Sequence, residues 1–192
     1  MDNDNDDNTA EHTVASTRVA SPVGPLVLGA SSKGVVRLSF STDAATNSDP
    51  TNSDASAGNS DASAGGRDAG AERWLRLLSS ELTAYFSGAL RQFSVPIDWS
   101  VVTGARLEVL RALYTSVGYR KTTTYGRLAS TSGHPGAARL VGTIMGSNPI
   151  AIVVPCHRVL AGDGSLGGYG PGVPLKRQLL ELEGSLPATL FD

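Results

Sequence analysis

Between Thr42 and Gly70 the chain offers no apolar side chain larger than alanine. This stretch carries a direct repeat, NSDASAG at 52–58 and again at 59–65. A seven-residue period suggests a heptad, but no position in it is large and apolar, so a coiled coil is excluded. The stretch reads as a flexible loop inserted between ordered elements. Any core must therefore be assembled from the sequence on either side of it.

On the N-terminal side, residues 1–12 (MDNDNDDNTAEH) form an acidic polar tail with nothing to bury and are expected to be disordered. Val14–Ala20, Pro25–Ala30 and Val35–Phe40 read as three short strands divided by turn-rich segments, which an antiparallel meander satisfies most simply. Beyond the insert, Trp74, Leu78, Leu82, Tyr85 and Phe86 keep helical spacing and Gly88 is placed to stop the helix. Phe93–Trp99 is predicted to be one more strand. Helices are expected over 104–117, Tyr125–Ser130 and Pro135–Gly146. The Ser-Gly-His-Pro between the last two suits a helix-turn-helix, although any αα-hairpin reads alike. An apolar strand Ile150–Val154, a glycine-rich loop at 162–172 and a helix over about 174–183 complete the pattern. The domains expected are 13–100, with the insert at 42–70, and 101–192.

The formal net charge of −2 hides an asymmetry. Residues 1–70 hold four basic and ten acidic side chains, and residues 101–192 hold nine basic and five acidic. The basic second half suits a polyanion, as it also suits many neutral enzymes. One cysteine excludes an internal disulfide and fits a reducing compartment. No apolar run approaches the ~18–20 residues of a membrane span. A cytoplasmic protein with no membrane partner is expected.

That cysteine, Cys156, stands in IVVPCHRV, between a proline and His157-Arg158. A lone cysteine is ordinarily a small buried hydrophobe. It becomes a nucleophile where a positive charge, a histidine or a helix N-terminus lowers its pKa from about 8.5. Here the neighbours suggest such help. Adjacent side chains do not face each other in a helix or a strand, so His157 would reach the thiol through a bridging water. A histidine used as a base needs an acceptor on its other nitrogen. Leu175, Leu179 and Leu182 form the apolar stripe of the last helix, and Glu183, four beyond Leu179, lies on that side. It either meets a partner there or bends to solvent.

NPIAIVVPCHRV, GSLGGYGPGVPLKRQLLELEG and TYGRLA…AARLVG resemble the O6-alkylguanine-DNA alkyltransferases, also called methylated-DNA–protein-cysteine methyltransferases. The resemblance is strong over about 103–192, and over 13–100 it rests on ASPVGPLVLGAS. It implies an α+β fold: a small N-terminal ribonuclease H-like α/β domain, then a mainly helical domain with a winged-helix-like helix-turn-helix. The implied activity is DNA repair by single, irreversible transfer of an alkyl group from O6-alkylguanine in double-stranded DNA to Cys156. Acceptance of O4-alkylthymine stays open. His157 would act as base through water, Glu183 would orient it, Asn148 would brace the active-site loop, and Tyr125 would protonate guanine N3. Arg139 would fill the gap left by the flipped nucleotide, with Ala137, Ala138, Gly142 and Tyr125 against DNA. Tyr169, Val159, Gly170 and Met145 would line the pocket. A monomer needing no cofactor and no metal is implied; some relatives bind zinc through N-terminal cysteines that this chain lacks.

Without the resemblance, Tyr125 reads as a half-buried helix residue and Arg139 as a solvated one. The small stripe Ala138, Gly142, Gly146 would admit DNA or another helix. The chain also departs from the family pattern. Pro171 replaces the first of two glycines, Ala105 and Leu110 replace aromatic residues, and Gly118 and Arg120 differ from a common Pro-x-Gly. A cysteine hydrolase would also pair Cys with His, but it needs an oxyanion hole and usually draws its histidine from far away in sequence. Alkyltransferase-like lesion binders lack the cysteine.

Overall fold

The computed structural model describes residues 15–41 and 68–186. The acidic tail and the insert up to residue 67 lie outside the described residues. β1 (Ala15–Val19), β2 (Leu26–Ser31) and β3 (Gly34–Phe40) form the expected antiparallel meander, in order β1-β2-β3. Thr17 lies opposite Leu28, and Leu28 opposite Leu38. Helix α1 (Ala69–Phe86) packs against all three strands, with Leu75, Leu78 and Leu82 buried in the same core as Leu26, Leu28 and Leu38.

The helix begins earlier than expected, inside the segment assigned to the insert. Asp68 is its N-cap, accepting hydrogen bonds from the Gly70 and Ala71 amides at 2.8 and 3.3 Å. It ends where expected. Gly88 takes a left-handed φ of 76°, and the Gly88 and Ala89 amides fold back onto the Tyr85 and Ala84 carbonyls.

Two predicted strands are not strands. In Phe93–Trp99 the Ser94 and Val95 amides donate to the buried carboxylate of Glu81 on α1, at 2.9 and 3.2 Å, rather than to a neighbouring strand. Only an isolated parallel bridge, Val35 to Ile97, joins the segment to β3. Asp98 then caps a 3-10 turn, Trp99–Val101, and accepts from Ser31 Oγ at 2.6 Å. Ile150–Val154 likewise makes one parallel bridge, Ile150 to Leu38, before it coils. The Val153 and Val154 amides bond back to Ala151 and Ile150, and Ile152 sits at φ 67°. A β-branched residue in the left-handed region is strained, and this one is held by complete burial. The apolar run reflects burial on all sides, which periodicity cannot separate from a strand.

The second half is helical. α2 (Gly104–Ser116), α3 (Tyr125–Thr131) and α4 (Ala138–Gly146) pack on one another, with Val109, Leu113, Leu128, Val141 and Ile144 between them. α4 starts three residues later than expected, because Pro135-Gly136 belongs to the interhelical turn, where Gly136 has φ 82°. α3 and α4 are thus the two helices of the helix-turn-helix. The two-residue strands β4 (Thr123–Thr124) and β5 (Val159–Leu160) pair in parallel and tie the start of α3 to the segment after Cys156. α5 (Val173–Leu182) is the last described helix, with Glu183 as its C-cap. Arg120 stands at φ 61° in the tight turn closed by the Lys121 amide on the Gly118 carbonyl. That is a glycine-favouring conformation, so the departure from Pro-x-Gly keeps the turn at a cost in backbone strain. No described helix is long and apolar enough to cross a membrane.

Candidate active site

Cys156 opens a 3-10 turn, Cys156–Arg158, at the base of a pocket of about 350 Å³. Tyr125, Gly142, Met145, Gly146, Gly168, Tyr169 and Gly170 line the rest. The pocket thus lies between the N-terminus of α3, the glycine face of α4 and the glycine-rich loop. Tyr169, Gly170 and Met145 stand where the sequence placed them. Val159 does not: it is absent from the lining, and Lys176 Nζ takes its carbonyl at 2.6 Å.

The thiol is not primed as expected. Burial pushes the Cys156 pKa up, only partly offset by Asn148, the Tyr169 hydroxyl and the Lys176 charge. Tyr169 Oη meets no acceptor with good hydrogen-bond geometry but lies near enough to Sγ to favour the thiolate. Arg158 gives no such help, because its guanidinium is turned to Glu183. A thiol held protonated needs a base to remove its proton.

The fold brings His157 and Glu183 together. His157 Nε2 lies 2.9 Å from Glu183 Oε1, with both side chains fully buried. Burial holds the His157 pKa down. A neutral ring that donates from Nε2 to the carboxylate leaves Nδ1 as an acceptor, and Nδ1 has no partner among the described residues. Burial also raises the Glu183 pKa, but hydrogen bonds from His157 and Arg158 outweigh it and bring the carboxyl to about 2. Arg158 grips it with two bonds, Nε to Oε2 at 2.9 Å and an Nη to Oε1 at 2.8 Å, and gives its other Nη to the Val117 carbonyl. Tyr85 Oη adds a bond to Oε1 at 2.8 Å. Of the two readings open for Glu183, it meets partners.

Asn148 spans the loop before the nucleophile. Its Nδ2 donates to the Val154 carbonyl at 2.8 Å and its Oδ1 accepts from the Ile150 amide at 3.1 Å. It therefore fixes both ends of the strained Ile152 turn. Tyr125, first residue of α3, projects into the pocket and donates to the Gly168 carbonyl at 3.2 Å. Burial, then the charge at Cys156, raises its pKa, so the phenol keeps its proton.

On α4, Arg139, Thr143 and Gly146 are exposed, and Val141, Ile144 and Met145 are buried. Arg139 is a solvated residue of the second helix-turn-helix helix, with Ala137 and Ala138 half-buried at its start. Gly142 and Gly146 take the pocket side, so that stretch of the small stripe packs against no other helix.

Two residues of the site were missed from the sequence. Lys176 is fully buried, bonds the Val159 and Leu166 carbonyls at 2.6 and 2.5 Å, and lies 5.8 and 5.9 Å from the Tyr125 and Tyr169 ring centres. Burial brings its pKa down to about 8, against the pull of Cys156. Tyr85 is the other; Arg158 was expected to help the thiol, whereas its guanidinium serves Glu183. The buried face of α5 runs through Lys176, Leu179, Leu180 and Glu183, a phase one residue away from the assumed Leu175 stripe. With that phase, Lys176 would have drawn notice.

Comparison with known proteins matches both halves. The ribonuclease-like domain of 6-O-methylguanine DNA methyltransferase matches residues 14–99, and the DNA binding domain of the same protein matches 105–185. A methylated-DNA–protein-cysteine methyltransferase of Mycobacterium tuberculosis is 51% identical over 115 residues, covering 58% of this chain and 68% of that protein. One of Methanosarcina acetivorans is 36% identical over 165 residues, covering 86% and 95%. The crystal structure of M. tuberculosis OGT in complex with DNA superimposes with a TM-score of 0.68 at 36% identity, over 88% of this chain and 91% of that one. The fold is accordingly a ribonuclease-like domain followed by a helical DNA-binding domain. With both domains matched and near full-length identity to such enzymes, this chain belongs to the methylated-DNA–protein-cysteine methyltransferase family.

Proposed function

We propose that this repair methyltransferase takes O6-alkylguanine from duplex DNA and transfers the alkyl group to Cys156, once per molecule. The observation that carries the reading is a pocket with one buried thiol at its base and a base–acid pair, His157 and Glu183, behind it. The chain works as two units, 13–100 and 101–192, and acts on DNA as a monomer.

The target carbon is stacked inside the duplex, so the nucleotide must be extruded, at a cost of a few kcal/mol. Arg139, on the exposed face of α4, fills the vacated space. Approach from the minor groove reads little sequence, as suits a lesion that can arise anywhere. His157 Nδ1 takes the Cys156 proton through a bridging water, and Glu183 stabilises the imidazolium. Sulfur attacks the alkyl carbon, the carbon–O6 bond breaks, and the guanine leaves with a proton from Tyr125 on N3. Attack at an sp3 carbon builds no oxyanion, so no oxyanion hole is needed. The product is a thioether with no easy leaving group, and the described and remaining sequence holds no second cysteine to receive it.

Intact-mass measurement after incubation with an O6-methylguanine duplex tests this. The expected gain is about one methylene, on Cys156, with no further reaction in excess substrate. Cys156→Ser should gain nothing and bind DNA within a few-fold of the parent. Arg139→Ala should slow reaction with the duplex far more than with free alkylguanine base. Two alkyl groups removed per molecule, or equal losses on both substrates, would overturn the corresponding step.

A further inference from the structure

The acid behind the base is held in part from the other half of the molecule. Tyr85, in the last turn of α1, is buried, and its hydroxyl donates to Glu183 Oε1 at 2.8 Å across 98 residues of sequence. Oε1 therefore accepts three hydrogen bonds, from Tyr85, His157 and Arg158, while Oε2 accepts one from Arg158. The ring of Tyr85 is seated independently of that bond, edge-on to Phe86 at 5.2 Å and tilted on Phe93 at 5.5 Å. Packing fixes where the hydroxyl goes; a phenylalanine would fill the same space.

We propose that Tyr85 is a positioning residue for alkyl transfer, its O–H acting through Glu183 to set how strongly His157 holds a proton. The inference rests on the reading of Cys156, His157 and Glu183 given above. The physical argument concerns competition at one oxygen. Each donor draws electron density from Oε1, so a third donor weakens it as an acceptor for His157 Nε2–H. A weaker acceptor stabilises the imidazolium less and leaves the ring more readily neutral, with Nδ1 open. Burial and the Glu183 charge push the phenol far above any working pH, so Tyr85 donates at every pH where the protein is folded.

The groups that face this centre are few. Glu183 meets Tyr85 from α1 and His157 and Arg158 from the active-site turn. His157 also feels the Lys176 ammonium of α5. Tyr119, before β4, puts its ring 5.9 Å from the Arg158 guanidinium and its hydroxyl 3.5 Å from the Leu182 carbonyl. Among these, Tyr85 is the donor on the carboxylate that stays neutral whether or not His157 is protonated.

The test is the pH dependence of single-turnover methyl transfer from an O6-methylguanine duplex, read by intact mass on the full chain. Tyr85→Phe should move the acidic limb to higher pH and slow transfer about two- to tenfold near and below neutrality, with rates converging at alkaline pH. Site-specific 3-fluorotyrosine at position 85, a stronger donor of nearly the same shape, should move the limb the other way. Phe86→Leu, which loosens the ring but keeps the hydroxyl, should leave the limb in place. Unchanged limbs in the phenylalanine and fluorotyrosine proteins, or an equal displacement in Phe86→Leu, would overturn the proposal. His157→Gln separates the two readings. If it transfers at the parent rate, the base assignment itself fails; if it is slow while both Tyr85 variants keep the parent profile, only the role of Tyr85 falls.

Discussion

Glu81 and Glu183 are both buried carboxylates, one at 8% exposure in the ribonuclease-like half and one at 1% behind the nucleophile. Their surroundings differ. Glu81 accepts only from neutral groups, the Ser94 amide and hydroxyl and the Val95 amide, and so pins one stretch of backbone to α1. Glu183 accepts from a histidine, an arginine and a tyrosine that come from two widely separated parts of the sequence. The first network is closed, each bond ending in main chain or hydroxyl. The second stays open at one place, His157 Nδ1. A buried charge costs several kcal/mol to desolvate whichever use is made of it. In one half it returns shape, and in the other a histidine held through one ring nitrogen with the other left open.

The comparison breaks most readily at Glu183. Glu183→Gln leaves the Arg158 guanidinium buried without its counter-ion, and should lower unfolding free energy by about 3–5 kcal/mol in a denaturant titration while slowing transfer severely. The parent should also lose stability in acid in two stages. The folded His157 pKa lies below its usual 6.5, so the folded state binds fewer protons and stability falls as pH drops below that value. The Glu183 pKa is likewise lowered, from 4.5 to about 2, so a second loss runs through that window. Glu183→Gln should reduce the second stage, leaving the part that comes from Asp98, where burial is outweighed by hydrogen bonds from Ser100 and Ser31 that also hold the carboxyl low. Retention of it in full would place the acid sensitivity elsewhere.

Glu81→Gln sets an amide donor against a backbone N–H and should cost about 1–3 kcal/mol. Its transfer rate, measured on folded protein, should match the parent. A slowed rate would mean that the two networks are coupled and that the contrast drawn here is false. The smallest effect is expected at Asp68. Asp68→Ala should lose roughly 1 kcal/mol through the α1 cap, with transfer unchanged, and a thermal melt would detect it.

The same contrast governs what could be read from the sequence. The meander, α1 and the helices of 125–146 were legible from local spacing, and Cys156 and His157 from a dense motif, whereas Glu183 and the helix-turn-helix reading leaned on the family resemblance. Phe93–Trp99 and Ile150–Val154 were misread because their backbone partners, Glu81 and Leu38, lie elsewhere in the chain and leave no local mark. Lys176 and Tyr85 were missed for a related reason. A lysine in a polar helix reads as solvated, and a tyrosine on an apolar stripe reads as core. Only distant contacts make one a tether for the pocket loop and the other a ligand of the acid. Val159 went the opposite way, placed in the pocket by likeness although its carbonyl is already engaged by Lys176.

The two isolated bridges on β3, to Ile97 and to Ile150, bear on the order in which the molecule can assemble. The meander is local and can form as soon as its residues are made, but its outer edge waits for partners much farther along the chain. Until Ile150 arrives, β3 presents unpaired backbone of the kind that invites wrong pairings during synthesis. Long-range closure of this sort is slow, because loop entropy must be spent before the contact returns anything. The segment that completes the sheet is also the one that leads into Cys156. Covering the edge of β3 and seating the turn that carries Cys156 are therefore expected to be coupled.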